Sequence, residues 1–467
     1  MTDAREMTLP RPRRPMRRLA TIIATLALLS WLVAPTTAAN DPGFKTSRPA
    51  QLAPLEAGVV IDPILSTGDI IGTYQMSGIP DGLGAYKDGG NTLQVLMNHE
   101  LGKTFPGMPP GVDARISQLT LNRKTHGVLD ATYVFTGVEG FERFCSSTLE
   151  TINGTPYYFT GEEAINAGHD GSSIVLNADT GAWSETAHFG HFQHENVVPV
   201  QRLSKFMVLS QDDDFRAGQP AYMFAYIADS LDAAISGDPA QGSLYVWKAL
   251  DETVRAGDLD KGETIPGEFV PLTQAENANS TALKAAATAK DAFRFARLED
   301  GAMAQQHPGR HYFVDTGKPG EATVKGRLYR MDIDPSDPTK ASLTLLLDGD
   351  RGDDMVNPDN IDTSVHSVVI QEDRETANRP PPSRVLVYDI RSGTIRPVAT
   401  VTGANWESSG VINAHSLLGQ GWWLMDVQAH SGRASQPGAG VGPDGQPVPN
   451  TGTGEDGQLL AVFIPDS

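Results

Sequence analysis

"LQVLMNHE", residues 93–100, is apolar from Leu93 to Met97 but for Gln94, and then delivers Asn98, His99 and Glu100 together. A run this continuous suits a strand covered on both faces rather than one with a wet side. The same shape recurs in "PYYFTGEE" (156–163), "FMVLSQDDD" (206–214), "HYFVDTG" (311–317), "SVVIQED" (367–373) and "WWLMDVQAH" (422–430). Each run is followed by a more amphipathic segment, such as "RISQLTLN" or "SRVLVYDIRSG", with turn residues close by.

Six such units, mostly roughly 50–60 residues apart, predict an all-β fold, a six-bladed β-propeller. The interval between the third and fourth units is about twice as long. Residues 230–295 fill it as an insertion in one blade, and "ANSTALKAAATAKDAF" inside it predicts an exposed helix. The closing strand "LLAVFIP" is expected to pair with "DIIGTYQM" and so remove free edges.

If the apolar runs are the inner strands, their polar ends converge on one channel mouth. That brings together Glu100, Glu162 or Glu163, Asp213 with its neighbours Asp212 and Asp214, Asp315, Glu372 or Asp373, and His430. So many carboxylates cannot all ionise in one cavity unless multivalent cations sit among them. The competing account of any one cluster is a strand-end cap or a lone structural calcium.

Composition agrees with cation binding. Residues 1–39 carry Arg17-Arg18 before an apolar run from Leu19 to Val33, and end in "TTAA". This pattern predicts a cleaved export signal, of the general secretory or twin-arginine type, ahead of a single domain over 40–467. The leader takes six arginines and two acids from a chain of 37 basic and 57 acidic side chains, which leaves a net charge of −24. Such a surface excludes nucleic acid and anionic membranes as partners. No second segment is apolar enough to span a bilayer, so a periplasmic or secreted monomer is expected. The one cysteine, Cys145, cannot form an internal disulfide.

The chain resembles the PhoX-type alkaline phosphatase family, as a divergent branch. The resemblance rests on an ordered set: "IPDGLGAY", "LMNHEL", "RFCSS", "TGEE", "GHFQHENVV", "RLEDGAM", "GRLYRMD", "NPDNID", "IQEDRE" and "DVQAHSG". It implies a six-bladed propeller with a central cluster of ferric iron and calcium, a cysteine thiolate on iron, and hydrolysis of phosphomonoesters outside the cytoplasm. On that resemblance Cys145 is the iron thiolate, and Glu163, Glu195, Glu299, Asp300 and Glu372 look like metal ligands. Asp359 and Asn360 fall in the family's "PDN" turn and Glu407 in its "WES" segment. Two segments depart from the family: Ser146-Ser147-Thr148 follow the cysteine where Ala-Gly-Gly is usual, and "QAHSG" replaces Gln-His-Pro-Gly.

Phosphate-ester hydrolysis needs neutralised phosphoryl oxygens, an in-line nucleophile and a stabilised leaving oxygen, all of which metals can supply. Carboxylates suit Ca²⁺ and Fe³⁺, whereas a thiolate draws the site toward a transition metal. His99, His194 and His430 could be ligands, donors to ligands or general acids. Arg297 and Arg374, beside acidic clusters, could hold a small phosphorylated substrate in a fork or orient a ligand. The chain lacks G-x-S-x-G, H-E-x-x-H, a phosphate loop and a dinucleotide fingerprint. Two alternatives to a phosphatase remain: a calcium-dependent propeller hydrolase of another ester class, lactonase-like, and a non-catalytic propeller stabilised by calcium.

Overall fold

The computed structural model describes residues 41–102, 114–165, 169–273, 278–373, 382–433, 440–441, 447–448 and 455–467. The expected leader over 1–39 lies outside them. Among the described residues no helix is long and apolar enough to cross a membrane.

The fold is all-β and propeller-like, built from antiparallel sheets. Four sheets of four or five strands start at Pro80–Lys87, Phe144–Ile152, Pro358–Thr363 and Trp406–Asn413. A nine-stranded sheet completes the set, running from His194–Val200 at one edge to Leu298–Met303 at the other. Its edge strands lie side by side, so it nearly closes on itself. These six starting strands touch one another in sequence, and Trp406–Asn413 returns to Pro80–Lys87, forming a ring.

The apolar runs of the sequence are not the ring. Thr92–His99, Thr155–Glu162, Phe206–Asp212, Arg310–Asp315, Ser367–Glu372 and Trp422–Arg433 each stand second in their sheet. A second strand is paired on both edges and packed on both faces, so Leu93, Val95, Leu96 and Met97 are all fully buried. The ring strands line the axis instead and are polar, starting "PDG", "FCS", "HEN", "LED", "PDN" and "WES". The continuous apolar signal therefore marks the strand behind the channel wall.

Ring strands approach closely because glycine stands between them. A Cβ on Gly82 would lie 2.5 Å from the Cys145 carbonyl oxygen, and one on Gly410 would lie 2.4 Å from that of Asp81. Gly82→Ala and Gly410→Ala should each lower stability by about 1–3 kcal/mol through overpacking. The check is the thermal midpoint; an unchanged value would show that the ring strands can part freely.

The described residues within 230–295 include sheet strands as well as a helix. Gly242–Ala249 is a regular strand, and Thr264–Pro271 pairs with it and with Lys340–Asp348, which joins the two halves of the nine-stranded sheet. The expected helix is Ser280–Thr288, capped by Asn279, whose side chain accepts from the Ala282 N–H at 3.0 Å. It is exposed on one face only. Leu283 and Ala287 enter the core, and buried Lys284 reaches Asp212 at 2.9 Å and Asp214 at 2.5 Å. Lys284→Met would leave the buried Asp212 carboxylate without its cation, whereas Asp214 keeps Arg216, and should cost about 3–5 kcal/mol, read as a lower urea midpoint.

The closing strand Glu455–Phe463 pairs with Val60–Ser66, not with the segment around Ile70. Ile70–Ile71 and Tyr74–Gln75 instead form a tight hairpin of their own, in which Ile71 and Tyr74 pair directly.

Candidate metal centre

Each ring strand enters at one end of the channel, and its second residue points into a common cavity. These residues are Asp81, Cys145, Glu195, Glu299, Asp359 and Glu407. Behind them the second strands add Glu100, Glu163 and Asp373, and Arg143, Arg297, Phe215, His430 and Glu455 complete a cavity of about 600 Å³.

One local device, repeated around the ring, builds this arrangement. The backbone N–H of Glu100, Glu163, Asp213, Thr316 and Asp373 donates to the carbonyl of Ile79, Arg143, Gln193, Arg297 and Asn357, each the residue before a ring strand. The ladder beside each ring strand then slips, as between Pro80 and Leu83 or Pro358 and Ile361. Such bulges re-aim side chains. Four entry residues hold left-handed backbone: Ile79 at φ 40°, Arg143 at 56°, Asn357 at 51° and Asn405 at 58°. For a β-branched residue such as Ile79 this is strained, and strain of this kind collects at functional sites.

The polar end of "LQVLMNHE" now has three separate jobs. Asn98 donates to the Cys145 carbonyl at 2.6 Å. His99, kept neutral because burial lowers its pKa to about 3, donates from Nδ1 to the Gly78 carbonyl at 3.0 Å. Glu100 alone faces the cavity. Paired acids elsewhere divide in the same way. Glu162 accepts from the Glu142 N–H at 2.7 Å and Glu372 from the Val356 N–H at 2.9 Å, while Glu163 and Asp373 face the cavity.

Glu372 is therefore not a cavity ligand: Arg384 holds it through two contacts of 2.8 Å, and Asp373 takes the expected position. Asp300 is also elsewhere. As the strand alternates, Glu299 faces the cavity, while Asp300 accepts from the Ile361 N–H at 3.0 Å and lines a separate void at the other end of the ring. His194 faces away too. Its Nε2 bonds the Gly190 carbonyl at 2.9 Å, and burial lowers its pKa to about 3, so it has no acid–base role in the cavity. Arg374 lies outside the described residues. Asp213 is buried behind the cavity wall, where Arg297 grips it at 2.6 and 2.8 Å.

Cavity donors fall within 4.8 Å of one another in a linked series. Asp81, Glu100 and Cys145 form one group, and Cys145, Glu163 and Glu195 the next. Glu195, Glu299 and Asp359 follow, then Asp359, Asp373 and Glu407. Cys145 Sγ stands 2.9 Å from Glu163 Oε2. A polar floor fixes the ring from below: Asn360 donates to Asp81 at 3.2 Å and to Ser146 Oγ at 2.7 Å, Ser146 donates to Glu195 at 2.6 Å, and Gln428 donates to Asp81 and Glu100 at 3.1 and 3.0 Å.

Burial, reinforced by neighbouring acids, pushes Asp81, Cys145, Glu195, Glu299 and Asp359 well above their usual ranges. Burial also raises Glu163 to about 8, although Arg143 opposes it. Arg143 bridges Glu100 at 2.7 Å and Glu163 at 2.6 Å, and Arg297 reaches Glu299 at 2.8 Å. His430 contacts Glu455 at 2.6 Å and Glu407 at 3.2 Å, as a close ion contact to the former rather than a directed hydrogen bond. Burial disfavours its imidazolium, but the two carboxylates outweigh that and hold its pKa at about 10.

Asp81, Arg143, Phe215 and Glu455 escaped sequence reading. Asp81 had a signal, because it shares with Glu195, Glu299, Asp359 and Glu407 the second place in a short polar strand; that signal lies in the polar strand starts and not in the apolar runs.

No family model matches the chain, and no curated protein matches it. Similar solved structures include an alpha-L-arabinofuranosidase from Lactobacillus brevis, 10% identical, covering 80% of this chain and 93% of that one at a TM-score of 0.33. A cobalt-substituted Synechocystis apocarotenoid oxygenase is 11% identical over 83% of this chain and 94% of that one, with a TM-score of 0.35. A putative 6-phosphogluconolactonase from Bacteroides fragilis is 12% identical over 78% and 81%, at 0.31. At such scores these likenesses bear on neither activity nor substrate.

Proposed function

We propose that this protein is an exported, metal-dependent hydrolase of phosphomonoesters, with calcium and ferric iron held in the channel of a six-bladed propeller. The blade count treats the nine-stranded sheet as two blades bridged by Thr264–Pro271. The export reading rests on the leader pattern in the sequence.

One observation carries the metal reading. Nine carboxylates and a thiol line a cavity that offers three cationic side chains, Arg143, Arg297 and His430. Negative groups packed this closely need further positive charge before they can all ionise. The donor set fits the two metals: oxygens suit calcium and ferric iron, and the thiolate at Cys145 marks the transition-metal end.

Bound calcium and iron would supply Lewis acidity toward the phosphoryl oxygens and acidify an attacking water. The chain supplies position. Ser146, Asn360 and Gln428 orient Glu195, Asp81 and Glu100, and the floor they form keeps bulk water out from below. Arg143 and Arg297, 27% and 20% exposed, stand at the mouth; each holds carboxylates through Nε and Nη2, which leaves Nη1 to donate to phosphoryl oxygens. The substrate in this reading is a small phosphorylated molecule and the protein a monomer.

The test is turnover of 4-nitrophenyl phosphate by purified holoprotein, then after chelation, then after calcium and ferric iron are returned. Activity should vanish and come back. Turnover of a lactone with no phosphoester cleaved would replace this reading with the lactonase-like one. Calcium-dependent stability with no turnover of either would leave a binding propeller.

A further inference from the structure

Phe215 is out of character with its surroundings. It lines the acidic cavity, yet it is a large apolar side chain left 45% exposed. The chain on either side of it is anchored: Lys318 donates to the Asp214 carbonyl at 2.8 Å and to that of Arg216 at 3.2 Å. Asp213 donates its N–H to the Gln193 carbonyl at 3.0 Å, and Asp214 is tied to Lys284 at 2.5 Å and Arg216 at 2.6 Å. The ring is therefore presented at a fixed place rather than on a loose loop.

Its neighbours are the two mouth arginines. The Arg143 guanidinium carbon lies 5.6 Å from the ring centroid and that of Arg297 lies 6.0 Å from it. Both arginines occupy the same structural position, directly before a ring strand, with the His194–Val200 strand between theirs. Phe215 follows the partner of that middle strand, Phe206–Asp212, and so stands between the two arginines. Both lie within cation–π range, which restrains the ring while 45% of it stays exposed.

We propose that Phe215 is a stacking platform for the organic half of the substrate, so that the site prefers phosphomonoesters of planar aromatic alcohols to aliphatic ones. The inference rests on the phosphatase reading and deepens it. With the phosphoryl group between the arginines, the ester substituent extends toward the exposed ring. A planar substituent covers that ring at little entropic cost, whereas a small aliphatic one leaves it wet.

Calorimetric binding of two non-hydrolysable probes, phenylphosphonate and methylphosphonate, to the metal-loaded full chain tests this without relying on turnover. Wild type should bind phenylphosphonate about tenfold more tightly, the scale of one aromatic stacking contact. Phe215→Ala should abolish that preference, and Phe215→Leu, which keeps apolar area but not a flat face, should retain less than half of it. Equal wild-type affinities, or a preference that survives in Phe215→Ala, would overturn the platform and leave the phosphatase reading standing. Failure of wild type to bind either phosphonate, with no phosphoester cleaved, would overturn that reading and the platform with it.

Discussion

Purified Cys145→Ala protein should retain calcium, lose iron and cleave phosphomonoesters about a hundredfold more slowly than wild type. Cys145 belongs to two of the four donor groups and joins the Asp81–Glu100 side of the ring to the Glu163–Glu195 side. It is also the only sulfur donor a cysteine can provide in this chain. Every other cavity donor but His430 is a carboxylate, and such oxygens suit calcium and ferric iron alike. On the proposed reading the thiolate is the donor that would favour iron over calcium, and removing one sulfur from a well-braced strand should leave the fold intact. Cys145→Ser, with a hard oxygen in nearly the same place, should keep calcium and load less iron than wild type. Elemental analysis by mass spectrometry reads both variants directly. Calcium without iron in wild type, or iron unchanged in Cys145→Ala, would reduce the centre to a calcium site.

Chelation should destabilise the protein far more at pH 9 than at pH 6. Glu163 has its folded pKa raised to about 8, and Asp81, Glu195, Glu299 and Asp359 are raised too. A carboxyl whose pKa is higher folded than unfolded stabilises the fold while protonated. That contribution is fully present below the unfolded pKa and fades as pH rises through the folded value. His430, held at about 10, has the same sign, since its stabilisation is fully present below the unfolded histidine pKa and is lost as pH climbs through 10. A tenfold difference in proton affinity between the folded and unfolded chain is worth about 1.4 kcal/mol. Several groups acting together should therefore lower the metal-free thermal midpoint by about 10 °C or more between pH 6 and pH 9. Cations replace the protons, and binding them releases protons. The calcium- and iron-loaded midpoint should accordingly be nearly flat over the same range. Equal slopes with and without metal would mean that the ring carboxylates do not hold the cations.

How much of this was legible in the sequence differs between fold and site. Strand content, the repeated unit and the mouth residues Glu100, Glu163, Asp373 and His430 could be read from apolar runs and their ends, whereas Asp213 and Asp315, named at the same ends, lie outside the cavity. Position within the sheet could not, because a run such as Leu93–Met97 reports only that both faces are covered. The second strand satisfies that condition, and the ring strand, facing polar groups across the axis, does not. The site inherited the same ambiguity. Glu163 and Glu162 are neighbours of identical chemistry, and only the slipped ladder decides which one anchors backbone and which faces the cavity. The sequence resemblance singled out Cys145, Glu195, Glu299, Asp359 and Glu407, which line the cavity, but it could not separate Glu299 from Asp300, or Glu372 from Asp373. Arg143 and Phe215 gave no pattern at all, since their roles come from segments brought together by the ring.

Pairing of Val60–Ser66 with Glu455–Phe463 ties the order of synthesis to the chemistry. This early strand must wait for the last described one before its sheet is complete, a long-range pairing of the kind that folds slowly. Cavity donors run from Asp81 to Glu455, so a chain still lacking its last strand lacks part of the donor set. Metals can be gathered only where the circle shuts. A chain threaded unfolded through a membrane would take its cations from the far side, and one carried across folded would bring them from the cytoplasm. The metal content of the purified native protein would thus record the compartment in which its two ends met.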